Sequence, residues 1–156
     1  MAKRNYSFQG DEKEKKIARA RASNQPISFK YSAEICREIR GKNVDKAVAF
    51  LGRVKEKKDF LPLKRYVGKV AHRKGDSKSG TKTGRFPLKA SETFMKLLEA
   101  VKSNADYKGL DEKSLKIIHA QANQGFRKQG HQAQGRISGK PRHKKSTHIE
   151  VIVKED

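Results

Sequence analysis

Lys64, Arg65, Lys69, Arg73, Lys74, Lys82 and Arg85 in one stretch, and Arg127, Lys128, Arg136, Arg142, Lys144 and Lys145 in another, are the residues best suited by type and spacing to do chemistry. That chemistry is electrostatic. Residues 64–89 hold nine Lys or Arg against one acid, Asp76, and residues 123–148 hold seven with no acid at all. The two stretches thus supply +8 and +7 of the formal net charge of +21. Cations gathered on two segments that make up a third of the chain mark a polyanion-binding surface, and a nucleic acid is the expected partner. An anionic membrane would attract the same charge, but neither stretch has the Trp, Phe and Leu face of an interfacial helix.

Covalent and metal chemistry find less support. GDSKSGTKTG, from Gly75 to Gly84, resembles a phosphate-cradling loop, but Gly80 is followed by Thr81 and then Lys82, and a Gly and a Pro come next where a helix should begin. Five histidines, His72, His119, His131, His143 and His148, form no short ligand pair with each other or with the single cysteine, so no metal is expected. Glu92, Glu99 and Asp111 fall on helix starts or polar faces without a second acid nearby, and no nucleophile motif is present. The chain is expected not to be an enzyme and to need no cofactor. Cys36 has no partner for an intrachain disulfide and reads as a packing residue in a reducing compartment. The N-terminus lacks a signal-peptide apolar run, which points to a soluble, cytoplasmic protein.

The elements that must hold these cations follow from periodicity. Residues 1–26 read as a basic extension with almost no large apolar side chains, and residues 27–156 as one domain containing a basic insert (60–89) and an arm (123–148). ISFKY alternates and predicts a first strand over 27–31, with Ser32 capping a short helix over 33–40 that Gly41 stops. Asn43 caps a second helix carrying Val44, Ala47, Val48, Leu51 and Val54. A third starts near Pro87 and puts Phe94, Leu97, Leu98, Val101 and Ala105 on one stripe. Leu115, Ile117 and Ile118 open one further strand. Thr147, Ile149, Val151 and Val153 alternate with His148, Glu150, Ile152 and Lys154 in the last, which predicts a sheet wetted on one face. The economical fold is α+β: a small antiparallel three-stranded sheet packed against three helices, with a long extended β-hairpin arm. About 13 residues per limb at about 3.3 Å each would carry that arm roughly 40 Å from the body. Phe126 and Ile137 are its only large hydrophobes, so a partner must order it.

Three blocks resemble a known family: SAEICREIRGKNVDKAVAFL (32–51), SNADYKGLD (103–111) and GRISGKPRHKKSTHIEVIV (135–153). They are similar to the universal large-subunit ribosomal protein twenty-two family, called protein seventeen in eukaryotes, and the similarity runs over about residues 27–153. The insert PLKRYVGKVAHRKGDSKSGTKTGRFPLKAS looks like that of archaeal and eukaryotic members. The chain stops just past its last strand, where eukaryotic cytoplasmic members carry a basic tail, so an archaeal-type member is expected.

The resemblance implies a structural constituent of the large subunit. Its body would lie on the outer surface, and its hairpin would thread through rRNA to the wall of the nascent-peptide exit tunnel. Large-subunit rRNA, neighbouring ribosomal proteins and the nascent polypeptide are the implied partners, with no membrane anchor. The thirteen cations named above are the expected rRNA contacts, and by alignment Gln129, His131, Gln132 and Arg136 fall at the tunnel-lining tip. The competing expectation from charge alone is a free-standing basic nucleic-acid-binding protein or RNA chaperone, which needs no projecting hairpin.

Overall fold

Apolar residues at helical spacing build three helices, of which the first and third pack on one sheet and the second packs chiefly against the third. The computed structural model describes residues 6–8, 16–74, 80–133 and 139–155. Helix α1 (Phe29–Ile39) buries Ile35, Cys36 and Ile39 and ends before Gly41, whose φ of +78° admits the reversal that a glycine tolerates best. The strand expected over 27–31 is therefore not formed. Five alternating residues are a weaker signal than the stripe that Phe29 joins, and Ser28 rather than Ser32 takes the N-cap position. The Ser32 hydroxyl instead donates to the Ser28 carbonyl at 2.8 Å, inside the first turn. Helix α2 (Val44–Lys55) begins as expected, with Asn43 Oδ1 accepting from the Asp45 amide at 2.9 Å. After a short hairpin of β2 (Leu61–Pro62) and β3 (Gly84–Arg85), helix α3 (Leu88–Asp106) follows Pro87 and buries the expected stripe from Phe94 to Ala105. Full burial of side chains such as Phe94 and Leu98 contributes about 1.5–3 kcal/mol each.

The sheet comprises β1 (Ile17–Gln25), β4 (Leu115–Gln132) and β5 (Lys140–Glu155), in the order β1-β5-β4 with both pairings antiparallel. The α+β class, the three helices and the hairpin are as the sequence predicts. The origin of the third strand is not, because it comes from residues read as an extension. β1 presents Ala18, Ala20 and Ala22 toward the helices, and α3 lies across it. Small side chains let a helix approach closely, so this strand is buried without bulky residues. Its free edge is covered: Asn104 Nδ2 donates to the Arg19 carbonyl at 2.9 Å and Lys108 Nζ to the Ile17 carbonyl at 2.7 Å. The β4 edge is closed likewise by Gly41 N to Ile117 O at 2.8 Å and Arg40 Nη2 to Ala120 O at 2.7 Å.

The second sheet face is not simply wet. Ile17, Glu150 and Ile152 are buried there, opposite the helices. Residues 6–8 lie against it: the Ser7 amide donates to Glu150 Oε1 at 3.1 Å, and the Phe8 ring stands 5.5 Å from that of His119. His119 Nε2 lies 3.1 Å from the same Glu150 oxygen, so this histidine is a tethered group rather than a loose surface one.

Cys36 sits in the core at 3% exposure, and burial pushes its thiol up to about 12. Relative to the ordinary value of 9.0 this leaves roughly a thousandfold less thiolate at a given pH. Ellman's reagent should accordingly label the native chain on the timescale of unfolding and the denatured chain at once.

Candidate nucleic-acid interface

Beyond Ala122 on β4 and Thr147 on β5, the last buried residue of each strand, the two strands leave the body as a ribbon. From Gln124 to Gln132 it spans roughly 26 Å at about 3.3 Å per residue. Register sets Arg127 directly opposite Lys145, Lys128 opposite Lys144, Gln129 opposite His143, Gly130 opposite Arg142 and Gln132 opposite Lys140. Alternation then puts Arg127, Lys145 and His143 on one face and Lys128, Lys144, Arg142 and Lys140 on the other. Like charges directly opposed destabilise a ladder. With no acid between 123 and 148, the ribbon repels itself on both faces until anions arrive. Gln129, His131 and Gln132 are exposed at its far end, and Arg136 lies outside the described residues.

Two bulges bend the ribbon where it meets the body. One extra residue enters β1 between Ala22 and Gln25, and one enters β4 between Gln124 and Arg127. Asn24, at φ +52°, ties the bulges together: its amide donates to His148 Nδ1 at 3.1 Å, and its Oδ1 accepts from the Ser146 hydroxyl at 3.3 Å and the Phe126 amide at 3.4 Å. The single Ser146 hydroxyl proton is shared with the Phe126 carbonyl, the nearer acceptor at 2.8 Å. His148 is thus tied to the root of the arm. Phe126 is held by its backbone while the residue stays 71% exposed. Gly125 makes this closeness possible, since a Cβ there would meet Ser146 Oγ at 2.5 Å. Gly125→Ala should cost about 1 kcal/mol and speed exchange of the Phe126 amide, measured by hydrogen exchange with mass spectrometry.

The insert folds back on the helices. Leu61 and Leu63 are buried, Leu63 N donates to Thr83 O at 3.0 Å, and Gly84 packs against the Phe60 ring with no room for a Cβ. Glu34, 2% exposed on α1, fixes its departure: Oε1 accepts from the Arg65 amide at 2.7 Å and the Tyr66 amide at 3.0 Å, and Oε2 lies 3.6 Å from the Arg37 guanidinium. Lys64, Arg65, Lys69, Lys74 and Lys82 are left exposed, and Arg85 half-buried. Arg73 is used internally: its Nε donates to Gly84 O at 3.1 Å and its guanidinium covers the Phe86 ring at 5.2 Å. The Phe29 ring stands 6.4 Å from that of Tyr66, and Lys30 lies 5.6 Å from the latter. Helix α1 thus joins the root of the insert to the root of the arm.

Sequence reasoning missed Glu34, Asn24, Lys30 and Lys140. The first two act by hydrogen bonding to backbone far away in sequence, which no local pattern reveals. Of the phosphate-loop-like segment, residues 75–79 lie outside the described residues; the residues after it run extended, with Thr83 bridging His72 and β3 following, so no helix begins at Lys82. Among the described residues no group of three metal-ligating side chains converges, and no helix is long and apolar enough to cross a membrane.

Comparison with known proteins agrees with this geometry. The chain is 41% identical over 155 residues to the large ribosomal subunit protein uL22 of Methanococcus aeolicus, covering 99% of both chains. It is 42% identical over 154 residues to that of Archaeoglobus fulgidus, covering 97% of this chain and 96% of the relative. It is 37% identical over 155 residues to that of Methanocaldococcus jannaschii, covering 99% and 97%. Residues 20–154, from within β1 to the end of the hairpin's return strand, match the family described as ribosomal protein L22p/L17e. A self-repelling basic hairpin on a three-stranded sheet, and likeness to archaeal relatives along almost the whole chain, place this protein in the ribosomal protein L22p/L17e family as an archaeal-type member.

Proposed function

We propose that the chain is a structural constituent of the large ribosomal subunit, a cytoplasmic particle, where it holds rRNA through the arm and the insert and lines part of the exit tunnel with the arm's tip. The observation that carries this is the ribbon's charge: cations oppose one another across both faces, so it needs phosphates on both sides, as when threaded between RNA segments and not laid on one. Lys and Arg release condensed counterions on meeting phosphate, which supplies affinity without reading sequence. RNA shape and unpaired bases, the latter stacking on Phe126 or on Arg planes, would supply specificity.

Lys64, Arg65, Lys69, Lys74, Lys82 and Arg85 of the insert, and Arg127, Lys128, Arg136, Arg142, Lys144 and Lys145 of the arm, are the proposed rRNA contacts. Arg73 contributes chiefly by holding the insert's shape. The proposed tip, Gln129, His131, Gln132 and Arg136, faces the nascent polypeptide with polar groups, and the body touches neighbouring large-subunit proteins. A photocrosslinking amino acid at His131 should capture radiolabelled nascent chains in stalled ribosomes. Crosslinks to rRNA alone, with none to nascent chains of any length, would refute the tunnel assignment.

A further inference from the structure

Between the first turn of α1 and the two limbs of the arm lies a cleft lined by Lys30, Arg127, His143 and Lys145, together with Ser28 and Ser146. Among the described residues no acidic side chain lines it. Arg127 and Lys145 are cross-strand neighbours, and Arg127 is steadied by a 2.7 Å bond from Nη2 to Gln124 Oε1 that leaves its other N–H groups to point elsewhere. Lys30 comes from a different element, so α1, β4 and β5 together bring three cationic residues and a histidine to the lining, the Lys30 ammonium resting 5.6 Å from the Tyr66 ring centre. The α1 first turn, with no acidic residue and no side-chain cap from Ser28, adds its positive end to the same side. The bulge at the arm root opens the cleft, and the Asn24 and Ser146 hydrogen bonds fix its wall.

We infer that this cleft is a phosphate-binding notch that takes a single backbone phosphate of RNA, with Lys30, Arg127 and Lys145 as the charged clamp and His143 as a further donor. A tetrahedral oxyanion suits donors arriving from three directions, whereas a planar carboxylate would leave one of them unmet. The inference deepens the ribosomal reading and rests on it, by adding Lys30 and His143 to the RNA surface and giving the arm root a discrete phosphate in place of diffuse attraction.

The test follows the histidine ring signals of the full-length chain by NMR during titration with inorganic phosphate, and separately with a single-stranded RNA oligonucleotide lacking terminal phosphates. The His143 signals should shift and saturate with both ligands, the RNA acting at a tenfold or greater lower concentration, while His131 near the tip stays still in inorganic phosphate. Lys30→Gln combined with Lys145→Gln should weaken the His143 response at least tenfold. Lys46→Gln with Lys55→Gln, which removes equal charge from exposed positions of α2, should leave it intact. Parallel, unsaturated drift of all histidines, equal loss in both double variants, or a response to inorganic phosphate but not to RNA would each overturn the notch. A chain that passes but does not travel with large subunits would instead refute the ribosomal reading.

Discussion

Lys144→Glu combined with Lys145→Glu should weaken binding to large-subunit rRNA on the order of a hundredfold while leaving the free protein as stable as before, or slightly more so. The opposite signs come from the same register. In the free ribbon Lys144 faces Lys128 and Lys145 faces Arg127, and each introduced carboxylate would face a cation, worth about 0.2–1 kcal/mol per pair. On RNA the same carboxylates meet phosphate, and like charges brought together cost several kcal/mol, which a hundredfold loss represents at about 2.7 kcal/mol. The log-log dependence of affinity on salt should flatten by roughly 1.4–1.8, the share of two phosphate contacts. Filter binding across a salt series, beside thermal denaturation of the same preparations, checks both halves. Adding reversal of Arg136 and Arg142 should abolish incorporation into the subunit, and unchanged incorporation would remove the arm from the RNA surface.

Glu34→Ala should be the most damaging single substitution outside the apolar core, destabilising the chain by about 2–3 kcal/mol. Two backbone N–H groups, of Arg65 and Tyr66, lose a buried charged acceptor, and Arg37 loses its partner. At about 2–4 °C per kcal/mol for a chain of this size, the midpoint should fall by roughly 4–12 °C in calorimetry. Glu34→Gln keeps an oxygen in place for both amides and should cost less than half as much. Because the insert leaves the body at this carboxylate, trypsin should also cut faster at Lys64 and Arg65 in the alanine variant. Equal midpoints for both variants would mean that the insert is held elsewhere.

The arm and its charge are legible in the sequence because they rest on composition and a period of two, which need no knowledge of distant contacts. The helical stripes of α2 and α3 are legible for the same reason. β1 is not, because its inward positions are Ala18, Ala20 and Ala22, and alanine signals a close-packed strand only once α3 is known to lie across it. The start of α1 is misread because Ile27, Phe29 and Tyr31 fit a strand as well as they fit the entry to a helix. Glu34 looks like any charged helix residue until the insert returns 31 residues later to donate two amides to it. The cations of the proposed interface can be picked out as a set from composition alone. Their sorting into two faces of a ribbon, and the diversion of Arg73 to hold the insert, required the register.

The most direct measurement is sedimentation of a cell lysate through sucrose at low and then high salt, following the chain with an antibody. A hairpin threaded through rRNA should stay with the large subunit after the high-salt wash, because its release would require the RNA to open. Recovery at the top of the gradient, or release at modest salt, would contradict the threaded arm and identify a loosely bound polycation.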